Sequence, residues 1–371
     1  MEKPYEYVAR MSELYSILQD ELSKDIFQAR LAYDLEPSQE NEVRIAGLGE
    51  QWQWMDKLME RMPAIVQNVE RDAKKLILYG TSVTGKAVAA RFIAEDIPFY
   101  GFCGRRAKEM PDGLMGKPVI SPDELFQHPD DFYVILTVVE SNDELMDILK
   151  KNHFPWNHVQ ACFKPASTID HQYFEFPSLF HPGTAFIDGG ALNCRSALIF
   201  ADWCKGKYSK IFSFEPDPKS GVECKQRIAD SGCRDIQLIQ AGLSDHDGEI
   251  TFQMNLYGSS HIIENSAAED GNTITVPVAT IDSTVGEEKI GFIKMDIEGS
   301  EFDALHGGKK VIVRDKPLLA ISIYHRKGDM LAIMDYLHRL VPEYHFWLRH
   351  YSSGYADTVL YASTDILKEN Q

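Results

Sequence analysis

The sequence predicts an α/β protein with two domains, and three observations support this prediction. Apolar runs of strand length alternate with helical segments from Lys74 onward, and a second, longer alternating series begins at Thr184. The residues before Lys74 instead place apolar side chains at helical spacing. The chain of 371 residues is long enough for two domains with separate cores. We therefore predict a helical N-terminal segment at 1–72, a small α/β domain at 73–165 and a larger one at 166–371.

The N-terminal segment is predicted to form helices over residues 5–33 and 50–70, where apolar side chains recur three and four positions apart. The polar stretch Glu36–Asn41 contains a proline and is predicted to be the loop between them. No pattern in this segment indicates a catalytic or ligand-binding residue. We interpret it as a helical cap or a dimerisation element, which makes it the predicted surface for a homodimer.

The first sheet is predicted from alternating strands and helices: strands at 76–79, 98–102 and 132–139, and helices at 86–95, 123–128 and 142–152. The short links between them indicate a parallel sheet of the Rossmann-like type. The first turn, Gly80–Lys86, matches seven positions of a phosphate-binding P-loop, but Ala87 replaces the serine or threonine that holds magnesium. Arg105 and Arg106 follow the second strand, where they either bind a phosphate or nucleotide sugar or stay solvated in a structural domain.

The second sheet is predicted to be larger. Its predicted strands are 185–188, 210–214, 236–240, 292–296, 318–324, 345–348 and 358–362. A β excursion at 249–254 and 273–278 interrupts the alternation. The last two strands are separated by the turn Ser352–Gly354 and are therefore predicted to form a hairpin.

Three acids follow strands of this second sheet. Asp188 ends the first strand and precedes Gly189 and Gly190, while Glu215 follows the second strand and Asp296 the fourth. Because the carboxyl ends of parallel strands meet at one edge of a sheet, we predict that these carboxylates lie close together. Glycines after the first strand let a ligand approach the backbone, and a carboxylate after the second can accept both hydroxyls of a ribose.

The positions of these acids favour one class of cofactor. A dinucleotide requires a fuller glycine-rich turn to hold its pyrophosphate. An acid at the first turn and another at the fourth strand instead suit a ligand with an ammonium and a sulfonium group, which is S-adenosylmethionine. Its methyl group is already activated, so the protein has to align the acceptor, exclude water and, for a hydroxyl acceptor, supply a base.

Residues 184–362 resemble the FkbM family of S-adenosylmethionine-dependent methyltransferases. An ordered set of short motifs carries the resemblance: Phe186–Ala191, Phe214–Pro218, Gly242–Phe252, Thr280–Asp282, Phe292–Glu301, Ala320–Arg326 and Leu348–Ser352. The resemblance implies a seven-stranded sheet of the class I methyltransferase type with one antiparallel strand. It also implies O-methylation of a sugar or a related small hydroxyl compound.

The resemblance further implies which residues bind the cofactor. They lie at the ends of the first, second, third and fourth strands: Asp188, Gly189, Gly190, Ala191, Glu215, Pro216, Ala241, Gly242 and Asp296. Residues 188–191 would line the methionine end, Glu215 the ribose and the corner at Gly242 the adenine. The chain departs from the family where Cys194 replaces a glycine, and a side chain there would narrow the site.

The predicted catalytic residues are His325, as the base that takes the hydroxyl proton, and Asp296 beside it. His325 follows the strand at 318–324 and is therefore expected at the same sheet edge as Asp296. The alternative is a loop histidine that only positions the substrate. The residues predicted to bind the acceptor are Glu298, Tyr324 and His350. No spacing requires a metal, although Asp296, Glu298 and His325 together have the chemistry to hold a divalent ion.

The composition argues against several other classes of function. The net charge is −18 and no dense cluster of lysine and arginine occurs, so neither a nucleic acid nor an anionic membrane surface is an expected partner. The six cysteines lack zinc or disulfide spacing and no signal peptide is visible, which predicts a cytoplasmic protein. Two alternatives remain open. One is an NAD(P)-dependent oxidoreductase using the first sheet, and the other is an inactive cofactor-binding or scaffold protein, which Cys194 would favour.

Overall fold

The computed structural model describes residues 4–138, 142–163, 172–254, 260–262 and 273–367. The chain forms two compact units, a smaller one of residues 36–170 and 350–356 and a larger one of residues 1–35, 171–349 and 357–371. Each unit combines a β-sheet with helices, so the predicted α/β class is confirmed. The N-terminal helices do not form a segment of their own over 1–72 but are divided between the two units. The predicted boundary at 165–166 lies outside the described residues.

The smaller unit contains a five-stranded parallel sheet in the order β3-β2-β1-β4-β5. Its elements are α3 (Gln39–Ala46), α4 (Glu50–Arg71), β1 (Lys75–Tyr79), α5 (Val83–Ala94), β2 (Gly101–Cys103), β3 (Val119–Ile120), α6 (Pro122–Gln127), β4 (Phe132–Leu136), α7 (Asn142–Lys151) and β5 (Val159–Ala161). Met55 and Met62 of α4 pack with Leu78 of β1 and Phe92 of α5 in one buried cluster. The apolar face of α4 is therefore buried within its own unit. The predicted strand at 132–139 ends earlier, at Leu136, and Val139 is outside the described residues.

The larger unit begins with α1 (Pro4–Ser16) and α2 (Glu21–Leu35) and then alternates strands and helices. Its remaining elements are β6 (Ala185–Gly189), α8 (Arg195–Trp203), β7 (Ile211–Phe214), α9 (Pro218–Ser231), β8 (Ile236–Ile239), β9 (Gly242–Leu243), β10 (Gly248–Met254), β11 (Ser260–Ile262), β12 (Thr273–Ala279), α10 (Ile281–Thr284), β13 (Ile290–Met295), α11 (Glu301–Gly307), α12 (Lys309–Asp315), β14 (Leu318–Ser322), α13 (Asp329–Leu340), β15 (His345–His350) and β16 (Thr358–Ser363). The β excursion predicted from the sequence is a separate four-stranded sheet in the order β11-β10-β12-β9.

The main sheet of the larger unit has seven strands in the order β15-β16-β14-β13-β6-β7-β8. The pairs from β14 to β8 are parallel, and β16 runs antiparallel to β14, as the family resemblance implied. The central strands are buried along their whole length because helices cover both faces of such a sheet. Phe186 of β6 stacks on Phe200 of α8, with ring centroids 4.1 Å apart, and both rings adjoin Phe292 of β13.

The first two helices of the chain cover the edge strand β15. The backbone N–H of Gln19 donates to the carbonyl oxygen of Phe346 at 3.0 Å, and the N–H of Leu348 donates to Ser23 Oγ at 2.9 Å. Leu18 and Ile26 are buried in the same region of the chain. These contacts explain why residues 1–35 belong to the larger unit, because an edge strand without partners leaves backbone groups unsatisfied.

No helix among the residues described here combines the length and apolarity needed to cross a membrane.

Candidate active site

Three strands of the main sheet end side by side at the candidate site. Gly189, at the end of β6, pairs with the last residue of β7 on one side and the last residue of β13 on the other. The next residues along the three strands, Gly190, Glu215 and Asp296, therefore emerge together. The strands that follow β6 in the chain lie on both sides of it, with β7 and β8 on one side and β13 on the other. The strand order therefore reverses at β6, and open α/β sheets bind ligands at such a point.

Asp188 is fully buried and forms an ion pair with Lys294 of the neighbouring strand. Lys294 Nζ lies 3.2 Å from Asp188 Oδ1, and Ser196 donates its hydroxyl to Oδ2 at 2.7 Å. The same ammonium group donates to the carbonyl oxygens of Gly189 at 2.9 Å and Gly190 at 2.8 Å. Lys294 therefore balances the buried charge of Asp188 and also fixes the turn that follows it.

The turn after β6 requires glycine at residue 190. Its φ is +73°, in the left-handed region, and a Cβ atom there would lie 1.9 Å from the backbone oxygen of Asp296. Any residue other than glycine is therefore excluded at position 190, both by the backbone conformation and by the contact with Asp296. The turn is held from the other side by the N–H groups of Gly190 and Ala191, which both donate to the carbonyl oxygen of Phe214.

Cys194, the departure from the family pattern, also has a left-handed backbone, with φ of 58°. This conformation explains why a glycine suits the position. The side chain of Cys194 is fully buried and packs with Ala191 and Cys224 in a small apolar cluster. The thiol is thus accommodated in the interior between α8 and α9.

Glu215 is buried, and each oxygen of its carboxylate accepts one backbone N–H. Oε2 accepts from Leu192 at 2.7 Å, and Oε1 accepts from Asp217 at 2.8 Å. Burial raises the pKa of Glu215 above its ordinary value, while the two backbone donors act in the opposite direction. A carboxylate oxygen accepts more than one hydrogen bond, so both oxygens retain capacity for a ligand hydroxyl.

The predicted adenine corner adjoins the strand end that carries Glu215. A Cβ atom on Gly242, the first residue of β9, would lie 3.8 Å from Cβ of Pro216. Ala241 is buried, and the N–H of Glu215 donates to the carbonyl oxygen of Ile239 at 3.0 Å. The structure therefore brings together the residues predicted to contact ribose and adenine.

Two tyrosines hold the carboxylate of Asp296. Tyr173 donates its hydroxyl to Oδ2 at 2.7 Å, and Tyr324 donates to Oδ1 at 3.1 Å. Burial raises the pKa of both phenols and the charge of Asp296 raises it further, so both remain donors near neutral pH. Tyr324, predicted to bind the acceptor, is thus seen to orient Asp296.

His325 faces three carboxylates. Its Nδ1 lies 2.9 Å from Glu301 Oε1, and its Nε2 lies 3.3 Å from Asp296 Oδ1 and 3.7 Å from Glu298 Oε2. Burial lowers the pKa of His325, but the carboxylates of Glu301, Asp296 and Glu298 outweigh burial and raise the pKa above its ordinary value. The structure thus joins His325, Asp296 and Glu298, as predicted, and adds Glu301.

The remaining predicted site residue, His350, has a contact within the smaller unit. Its Nε2 lies 2.8 Å from the carbonyl oxygen of Gly354, and both residues belong to the smaller unit. Its role in acceptor binding stays a prediction. Lys294 and Tyr173 also belong to the site and were assigned no role from the sequence. Lys294 carries a usable signal, a lysine within an otherwise apolar strand, whereas Tyr173 precedes the sheet and carries none.

The P-loop-like turn of the smaller unit has a local structural explanation. A Cβ atom on Gly85 would lie 2.2 Å from the carbonyl oxygen of Gly80, so the turn closes on itself. Arg105 pairs with Glu144 at 2.8 Å, and Arg106 pairs with Glu109. The glycines thus meet a packing requirement, and the two arginines have carboxylate partners.

Residues 188–346 match the sequence model of the family described as "Methyltransferase FkbM domain". Over 152 residues the chain is 27% identical to the 2-O-methyltransferase NoeI of Sinorhizobium fredii (strain NBRC 101917 / NGR234). This alignment covers 35% of the present chain and 61% of the relative. The chain therefore spans less than two thirds of that relative's length.

Two solved structures have a similar arrangement. Methyltransferase FkbM from Methylobacillus flagellatus KT is 19% identical, with 92% of this chain and 99% of that chain covered and a TM-score of 0.44. An O-methyltransferase from Bacillus cereus in complex with SAH is 9% identical, with 60% and 90% covered and a TM-score of 0.33. Both TM-scores are below 0.5, so the comparison rests on the match in sequence. Residues 188–346 of this chain therefore match the FkbM methyltransferase domain in sequence.

Proposed function

We propose that this chain transfers a methyl group from S-adenosylmethionine to a hydroxyl oxygen of a small, sugar-type acceptor. The observation that carries the proposal is the convergence of Asp188, Glu215 and Asp296 at one sheet edge of an FkbM domain. The similarity to a 2-O-methyltransferase supports oxygen as the acceptor atom. The family resemblance of the sequence supports a sugar or a related hydroxyl compound.

When bound, S-adenosylmethionine supplies a methyl group on a sulfonium sulfur that already activates it. In this proposal the two oxygens of Glu215 accept the ribose hydroxyls, and the turn at Gly189 and Gly190 contacts the methionine end. The corner formed by Ala241 and Gly242 contacts the adenine. The buried pair of Asp188 and Lys294 keeps the turn in the shape that this binding requires.

Methyl transfer breaks the S–CH3 bond, forms an O–CH3 bond and releases the hydroxyl proton of the acceptor. In this proposal the acceptor hydroxyl lies against Asp296 and His325, which are held in place by Tyr173, Tyr324 and Glu301. Glu298 has a side chain that is 48% exposed and is proposed to bind further acceptor hydroxyls.

Replacing Glu215 with alanine is expected to weaken binding of S-adenosylhomocysteine by roughly 1–3 kcal/mol, because charge-assisted hydrogen bonds to the ribose are lost. Isothermal titration calorimetry measures this change. Glu223→Ala, at an exposed position of α9, is the matched control and should bind as the wild type does. Unchanged affinity in Glu215→Ala would contradict the ribose role.

Replacing His325 with alanine is expected to lower the turnover rate about 100-fold, because the group that faces the reacting hydroxyl is lost. Binding of S-adenosylhomocysteine should be unchanged. His181→Ala removes an exposed histidine paired with Asp365 and should leave turnover intact. Full activity of His325→Ala in a methyl-transfer assay would remove this residue from the reaction.

A homodimer through the N-terminal region, a cytoplasmic location and the absence of a nucleic-acid partner stay predictions from the sequence. Light scattering of the purified chain tests the first of them.

A further inference from the structure

We propose that Asp296, Glu301 and His325 form a binding site for a divalent cation, of the kind that prefers oxygen ligands, such as Mg²⁺ or Mn²⁺. The inference rests on the proposed function, since it specifies how the acceptor hydroxyl is activated. It is carried by the geometry of these three side chains, by an orphaned carboxylate oxygen among them and by the local charge.

The three side chains have the spacing of a coordination site. Each offers one ligand atom, and these atoms all lie within 4.8 Å of one another. For bonds of about 2.1 Å to the metal, neighbouring ligand atoms of an octahedron lie about 3 Å apart and opposite ones about 4.2 Å apart. Small side-chain rotations therefore bring all three ligand atoms into range of one cation.

An unsatisfied buried atom gives independent support for a ligand. The side chain of Glu301 is 1% exposed, and its Oε1 accepts the N–H of Ile297 at 2.8 Å. Its Oε2 is buried and has no hydrogen-bond partner among the described residues. A buried carboxylate oxygen without a partner costs free energy, and a cation at the cluster would satisfy it.

The charge of the cluster points the same way. Asp296, Glu301 and Glu298 all face His325, which carries at most one positive charge. Lys294, the nearby lysine of β13, is already paired with Asp188. A divalent cation would balance the excess negative charge and leave coordination positions open towards the exposed Glu298 for water and the acceptor.

The cation would activate the acceptor directly. A hydroxyl bound to a divalent cation has a lowered pKa, because the cation stabilises the alkoxide. The hydroxyl proton then passes to water, the alkoxide oxygen takes the methyl group, and the S–CH3 bond breaks to leave the neutral thioether. In this mechanism His325 holds the cation, and an acceptor with two neighbouring hydroxyls could chelate it.

The test uses the full chain after treatment with a chelator and dialysis. Titration with MnCl₂, with free Mn²⁺ measured by electron paramagnetic resonance, is expected to show one bound ion per chain. Asp296→Asn and Glu301→Gln should each weaken binding about 10-fold or more, as expected when a group that holds a metal is lost. Glu343→Gln, a surface carboxylate paired with Lys316, is the matched control and should bind normally.

A second measurement guards against misfolded variants. Mn²⁺ should raise the midpoint of thermal unfolding of the wild type and Glu343→Gln, but not that of Asp296→Asn. The proposal is overturned if the wild type shows no saturable Mn²⁺ binding, or if both site variants bind as tightly as the wild type. Binding of S-adenosylhomocysteine is measured on the same samples. A wild type that binds this ligand but does not bind Mn²⁺ overturns only the cation site. A wild type that binds Mn²⁺ but does not bind this ligand contradicts the proposed function.

Discussion

Replacing Lys294 with methionine is expected to lower the free energy of unfolding of the larger unit by about 3–5 kcal/mol, because the substitution leaves a buried carboxylate without its counter-ion. The side chains of Lys294 and Asp188 are 4% and 0% exposed, so water cannot take over the lost interaction. Hydrogen exchange of amides in β6 and β13 measures this unit by itself. The loss of two hydrogen bonds to the turn should also weaken binding of S-adenosylhomocysteine.

Lys289→Met is the matched control for this substitution. Lys289 lies just before the same strand, but its side chain is 61% exposed and its ammonium is 3.4 Å from Asp315. Its removal should change stability by less than about 1 kcal/mol. Adding Asp188→Asn to Lys294→Met removes the unpaired buried charge and should recover part of the lost free energy of unfolding. Equal effects of Lys294→Met and Lys289→Met would show that the buried pair does not stabilise the sheet edge.

Replacing Gly190 with alanine is expected to destabilise the larger unit by roughly 3 kcal/mol and to abolish cofactor binding. The left-handed conformation costs a non-glycine residue about 1–2 kcal/mol. Overlap of Cβ with the backbone oxygen of Asp296, at 1.9 Å, adds about 1–3 kcal/mol and moves the end of β13. The change in stability is measured by urea denaturation and the loss of binding by titration with S-adenosylhomocysteine.

Gly232→Ala separates the two contributions. Gly232 ends α9 with φ of +69°, and a Cβ atom there meets nothing within 4 Å. This control should show the conformational cost alone, with cofactor binding retained. If Gly190→Ala behaves like Gly232→Ala, the close approach of residue 190 to Asp296 does not determine the shape of the site.

Much of the fold could be predicted because it depends on local patterns. The strands β1, β6 and β13 are mainly apolar runs followed by glycine or acidic turns, and such runs are typical of buried parallel strands. The division of the N-terminal helices could not be predicted in this way. Their apolar spacing shows which face is buried, but not which sheet it meets, because that depends on contacts between residues far apart in the sequence.

The same distinction applies to the site. The strand-end acids Glu215 and Asp296 were predictable from their positions, since the topology of a parallel sheet brings such residues together. Tyr173 and Glu301 were not assigned their roles, because each acts through a side-chain contact with Asp296 or His325 that no sequence spacing encodes. The role of His350 in acceptor binding stays a prediction, since its place at the end of a strand does not establish its contacts.

The packing of α1 and α2 on the edge strand β15 has consequences for the synthesis of this protein and for the expression of its fragments. Ser23 and its partner Leu348 are 325 positions apart, so the helices around Ser23 can dock only after the strand that contains Leu348 has been synthesised. In addition, β16, at residues 358–363, is inserted in the sheet between β14 and β15, beyond the end of the family match at 346. A fragment cut at 188–346 would lose β16, which pairs with β14, as well as the helices that cover β15. We expect such a fragment to self-associate through open strands, so that expression of this domain also requires α1, α2 and β16.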